Sequence, residues 1–96
     1  MNTDPIAEVA IDEQGRLLIT PTSNTYPMIY REGTEVHWDS KGRYLYSPKP
    51  REWSYLDWFK HIVDTVGDLT LSTGTRWKNI PDNFRKSAEE WVITRA

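Results

Sequence analysis

Hydrophobic and polar residues alternate through the first half of the chain and recur at helical intervals in the second. Two stretches of the first half repeat one another. Residues 8–21 read Glu-Val-Ala-Ile-Asp-Glu-Gln-Gly-Arg-Leu-Leu-Ile-Thr-Pro, and residues 35–48 read Glu-Val-His-Trp-Asp-Ser-Lys-Gly-Arg-Tyr-Leu-Tyr-Ser-Pro, identical at seven of 14 aligned positions. Each copy carries Asp-x-x-Gly at its centre. Asp bonds the backbone ahead of it and Gly accepts a left-handed conformation, so each copy predicts a β-hairpin with a three-residue turn. That register pairs Asp12 with Arg16 and Asp39 with Arg43. Side chains alternate across a strand. Val9, Ile11, Leu17 and Ile19 then share one face of the first hairpin, and Val36, Trp38, Tyr44 and Tyr46 share the matching face of the second. These are the expected core faces, and a slip of one residue would turn either set outward.

Between the hairpins, Pro21-Thr22-Ser23-Asn24-Thr25 reads as a polar loop. Tyr26-Pro27-Met28-Ile29-Tyr30-Arg31 reads as a fifth strand, at an edge or beginning at Pro27, because Pro donates nothing to a ladder. Glu32-Gly33-Thr34 would turn the chain back.

After Pro48-Lys49-Pro50 the period changes. Ser54-x-x-Asp57 resembles a capping box. Tyr55, Phe59, Ile62 and Val66, flanked by Leu56 and Val63, make a helical stripe that Gly67 would stop. The helix is expected over 54–66. Leu69-Thr70-Leu71 has the character of a short strand, and the rest of 68–80 has no assigned structure. A second helix, 82–94, begins beside Pro81 and carries Phe84, Ala88, Trp91 and Val92 on one face. The fold class is therefore α+β. An antiparallel sheet of about five strands, two related hairpins plus one strand, is packed on one face by two C-terminal helices. With 96 residues, one domain spanning 1–96 is expected.

Composition narrows the function classes. The chain has no Cys, so disulfides and thiolate metal sites are unavailable. Net charge is −2, which disfavours a phosphate-driven nucleic-acid binder. No run reaches the ~18–20 apolar residues of a membrane span. Met1-Asn2-Thr3-Asp4-Pro5 lacks the pattern of a signal peptide, so a cytoplasmic location is expected. Mean hydropathy is −0.69, yet the chain holds five Trp, five Tyr and two Phe. So many rings favour a folded chain with an aromatic core over a disordered one.

Motif chemistry is sparse. No nucleophile elbow, P-loop or dinucleotide fingerprint occurs. Glu35, His37 and Asp39 alternate onto one strand face, and a solvated polar face is favoured over a metal site or a general base. His61 is read as an exposed helix residue. Neither a catalytic residue nor a cofactor or metal is assigned. Trp, Tyr and Arg are the residue types of binding hot spots. Arg51, Trp53, Tyr55 and Trp58 form the candidate interaction patch. Trp38, Tyr44 and Tyr46, with Trp58, are the candidate lining of a pocket between sheet and helices.

Asp-x-x-Gly-Arg-x-Leu resembles the unit of Rhs/YD-type repeats over about 14 residues per copy, a likeness of turn chemistry to which no activity attaches. A short, cysteine-free, Trp-rich α+β chain without an active-site motif is similar in kind to two groups: uncharacterised proteins of mobile integron cassettes, and small bacterial immunity proteins. The second likeness implies a protein partner. The leading expectation is a non-enzymatic binding module acting through a protein surface, with another protein or a second copy of itself as partner. The alternative is a small-ligand binder or enzyme with an aromatic pocket. Single-stranded nucleic acid is the least favoured partner.

Overall fold

A computed structural model describes residues 4–32, 35–49 and 51–95. Six strands and two helices follow in the order β1 (Asp4–Ile11), β2 (Leu17–Pro21), β3 (His37–Asp39), β4 (Tyr44–Tyr46), α1 (Tyr55–Val66), β5 (Leu69–Thr70), β6 (Arg76–Lys78) and α2 (Asp82–Arg95). The fold is α+β with a mostly antiparallel sheet. Its order is β3-β4-β2-β1-β5, and β6 also pairs with β1. Two parallel pairings depart from the all-antiparallel expectation. The start of β1 pairs with β5 and its end with β6, so two short strands share one edge of β1.

The first hairpin follows its pattern. Val9 faces Ile19 and Ile11 faces Leu17 across the ladder, and Val9, Leu17 and Ile19 are fully buried. At the turn, Asp12 Oδ1 accepts from the N–H groups of Gln14 and Arg16 at 2.9 and 2.8 Å. Gly15 stands at φ +81°, where a Cβ is strained. Arg16 Nε donates to Asp12 Oδ2 at 2.7 Å.

The second hairpin departs from its twin. Asp39 pairs with Tyr44, not with Arg43, so the turn holds one more residue. Asp39 Oδ1 accepts from Lys41 and Gly42, and the residue at positive φ is Arg43, at 59°. The slip reverses β4. Leu45 and Ser47 are fully buried, while Tyr44 and Tyr46 are half-buried on the opposite face. Trp38 faces Leu45 across the ladder and packs half-buried against the core.

The physical reason lies with β2, which pairs Ile19 with Leu45 and Leu18 with Tyr46. Leu45 brings apolar area and no polar atom to the core side. The alternative register would bury two phenol hydroxyls, each needing a partner. Ser47 is satisfied where it lies: its Oγ accepts from Leu17 N–H at 3.2 Å and donates to the Pro48 carbonyl at 2.9 Å. Outside, Tyr46 stacks on His37 with ring centroids 5.3 Å apart, and the Arg16 guanidinium lies 4.8 Å from its centre.

The strand expected at Tyr26–Arg31 is a single 3-10 turn, Ile29–Arg31. Ile29, Arg31 and Glu32 donate to the carbonyls of Tyr26, Met28 and Ile29, so these amides are spent locally. Ile29 is buried in the core and Tyr26 packs against it, while Met28 and Tyr30 are about half exposed. The preceding loop hangs from Asp4. This buried carboxylate accepts from the N–H groups of Thr22, Ser23 and Asn24 and from the Tyr26 hydroxyl at 2.9–3.1 Å. Burial, together with the Asp4 carboxylate, pushes the Tyr26 hydroxyl up to about 12. The turn expected at Glu32-Gly33-Thr34, and Pro50 of the Pro48-Lys49-Pro50 boundary, fall partly or wholly outside the described residues.

Helix α1 carries its capping box. Ser54 Oγ accepts from Asp57 N–H, and Asp57 Oδ2 accepts from Ser54 N–H. Gly67, at φ +83°, ends it with a bond to the Val63 carbonyl. Phe59, Ile62 and Val63 are fully buried and Trp58 nearly so. α2 packs on α1 through Phe84 and Trp91, whose rings meet Phe59 edge-on at 6.1 and 6.0 Å. Tyr55 ties α1 to the first hairpin: its hydroxyl donates to the Gly15 carbonyl at 2.8 Å.

Candidate functional site

The segment leading into α1 runs beside that helix and leaves a groove between them. The groove encloses about 610 Å³ and is lined by Glu35, Pro48, Lys49, Arg51, Glu52, Trp53, Trp58 and His61. This lies inside the range of ~300–1,000 Å³ typical of ligand sites.

Three rings form its wall. Trp58 and His61 stand three residues apart on α1, and therefore on one face. Their centroids are 5.7 Å apart, with rings steeply tilted. Trp53, from the lead-in segment, lies 4.9 Å from Trp58 and 5.3 Å from His61, edge-on to the imidazole. Trp58 is 7% exposed and Trp53 46%. The inner indole thus belongs to the core, and the outer one presents its surface to whatever enters the groove.

Charge surrounds the rings. Lys49 lays its methylene stem against Gly15, where its Cγ, Cδ and Cε would stand 3.2–3.5 Å from an added Cβ. The bare glycine lets the stem cross the turn. Arg51 and Glu52 flank Trp53, and Glu35 reaches the groove from the start of the second hairpin with its backbone at φ +61°. Non-glycine residues are uncommon there. The ion pairs Arg16–Asp12, Arg76–Glu8 and Arg85–Glu89 all lie away from the groove. The groove therefore offers two cations and two carboxylates beside an exposed indole.

The candidate residues separate in space. Arg51, Trp53 and Trp58 come together in the groove. Tyr55 does not join them: half-buried, it stacks on Phe84 at 6.4 Å beside a smaller depression. Trp38 meets Tyr26 edge-on at 5.8 Å, and Tyr44 and Tyr46 lie on the far face of β4. None of these three lines the groove. Lys49, Glu35 and His61 also line it and were not among the candidates: Glu35 was read as part of a solvated polar face and His61 as an exposed helix residue. For His61 a signal existed, its i, i+3 spacing from Trp58. Glu35 and Lys49 arrive only through tertiary folding. Among the described residues no group of three His, Asp or Glu is placed to hold a metal, and no helix is long and apolar enough to cross a membrane.

Fold and groove define a small α+β protein with a groove that is ring-walled and bordered by both signs of charge. The chain belongs to the family of the integron cassette protein Hfx_Cass5, whose family model matches residues 4–74. A solved structure from the mobile metagenome of North West Arm Sewage Outfall, Integron Cassette Protein Hfx_Cass5, is 37% identical, covering 97% of this chain and 98% of that one, with a TM-score of 0.51. The search of curated proteins found no match.

Proposed function

We propose that the protein is a non-enzymatic binding module, accessory or immunity-like, that takes its partner at the groove beside Trp53. One observation carries the reading: an indole 46% exposed is held against a second, buried indole, with Lys49 and Arg51 lining the same groove. Binding hot spots are built from Trp and Arg in pockets of this kind. Trp58 and His61 keep Trp53 in place, so little side-chain freedom is lost when a partner closes over it. The leading partner is a protein that sets a side chain into the groove, and a second copy of the chain is included. The function needs no cofactor, and the location that fits it is cytoplasmic.

A photo-activatable residue replacing Glu52, at the groove, or Lys86, on α2, tests this in cells that carry the native gene. A discrete adduct at position 52 and none at position 86 is the expected outcome. An adduct at twice the chain's 11.3 kDa identifies self-association. Equal labelling from both positions, or none from 52, overturns the reading.

A further inference from the structure

The geometry points to the class of group this groove accepts: a planar ring that carries both an amino donor and an anionic group. The inference rests on the groove being the recognition site. It does not need the occupant to be attached to a protein.

Three features of the lining lead there. Trp53 and Trp58 supply an apolar wall, and Trp53 is exposed enough to receive a flat ring. Lys49 and Arg51 supply donors for a carboxylate or phosphate, and Arg can present two parallel N–H groups to it. Glu35 and Glu52 supply acceptors for an ammonium or a ring amine. A purely anionic ligand would leave two carboxylates facing it, and a purely cationic one two cations. The balance of two against two favours a ligand that carries an anionic group together with an amino donor. Lys49 is also placed: its stem is seated on Gly15, and the residue lines the groove. Free aromatic amino acids and nucleotides share this chemistry.

Four indole probes differ only in charge: tryptophan carries both groups, tryptamine the cation, indole-3-acetate the anion, and indole neither. Each is titrated against the whole protein by two-dimensional NMR, following the amides of 49–61, with adenosine monophosphate as a fifth arm. Tryptophan or the nucleotide is expected to bind tightest, and which does so identifies the source. Loss of either charge should weaken binding about two- to fivefold, the effect of a partly exposed ion pair. Trp53→Ala should abolish binding. Arg51→Gln should remove the advantage of the anion and Glu52→Gln that of the amine. Both side chains are exposed, so these variants fold, and their unchanged spectra away from the groove verify it.

Equal binding of all four indoles, or no shift with any probe, overturns the inference. If the probes fail while the adduct at position 52 persists, the groove is a protein site of other chemistry. If both fail, the groove is not the recognition site.

Discussion

The two hairpins share half their residues and differ in the one property that matters most to a sheet, the register. In the first, Gly15 takes the left-handed position and three residues make the turn. In the second, that conformation passes to Arg43, the turn gains a residue, and β4 rolls over. Asp-x-x-Gly-Arg therefore specifies that the chain reverses but not where the ladder resumes. The neighbouring strand decides that. Opposite Ile19, a Leu without polar atoms wins the core side over two tyrosines, which lie half-buried on the opposite face. Local turn chemistry contributes of order 1 kcal/mol, and burying one Leu side chain ~1.5–3 kcal/mol, so burial sets the outcome.

The largest test exchanges the roles of neighbours. Leu45→Ala should cost about 2–4 kcal/mol in urea unfolding, because it hollows a fully buried site. Tyr46→Ala should cost about 1 kcal/mol or less, since it removes a surface stack and the contact with Arg16. A reversed order would restore the register suggested by the repeat.

Next come the two turn glycines. Gly15→Ala forces a Cβ into the left-handed region and against the Lys49 stem, a loss of about 1–2 kcal/mol. Gly42 does not stand at positive φ; an added Cβ there would meet the ring of Tyr44. That ring faces outward and can turn, so Gly42→Ala should cost less and chiefly shift the Tyr44 resonances. Equal costs would mean that the two turns share one conformation.

Much of this architecture could be read before folding was known, and the exceptions have a pattern. Helix α1 was legible to its cap, because Ser54, Asp57 and Gly67 act on backbone within a few residues of themselves. The first hairpin was legible because its turn and its apolar faces agree. The second was not, because its turn and its neighbour disagree. β5 and β6 span two and three residues. Both pair with the edge of β1; β5 falls within the short strand expected at Leu69-Thr70-Leu71, whereas Arg76-Trp77-Lys78 carries no alternation long enough to announce β6. In the groove, Arg51, Trp53 and Trp58 were legible as a dense run of hot-spot residues. Lys49 and Glu35 were not, since only the folded chain sets them beside those rings.

Acid should weaken the first turn by a smaller margin. Desolvation pushes the Asp12 carboxyl up, but the Arg16 amide, guanidinium and charge, with the Gln14 amide, outweigh it and hold the group below the usual carboxylate range. A depressed folded value means stability that is complete above the unfolded pKa, about 3.9, and is lost as pH falls through the folded value. Asp12→Asn should therefore cost about 1 kcal/mol at pH 7 and progressively less below pH ~4 in chemical denaturation. A difference that stays constant down to pH ~2 would show that the Asp12 side chain contributes through geometry alone.

The smallest expected effect has the opposite sign. Arg43 stands at φ +59°, where a side chain costs about 1–2 kcal/mol. Glycine would relieve that strain, and it would give back ~0.5–1 kcal/mol through the freedom it adds to the unfolded chain. Arg43 is exposed, and its backbone N–H, which glycine keeps, already donates to the Asp39 carbonyl at 2.8 Å. Arg43→Gly should therefore stabilise the protein by about 0.5 kcal/mol, a rise in the midpoint of thermal unfolding of a few degrees at most. The equivalent change in the first copy, Arg16→Gly, should destabilise, because Arg16 gives up its bond to Asp12 and its place over Tyr46. If the two substitutions moved the midpoint the same way, the left-handed position would not have migrated from Gly15 in one copy to Arg43 in the other. The slipped register of β4, which begins one residue later, would then lose its local cause.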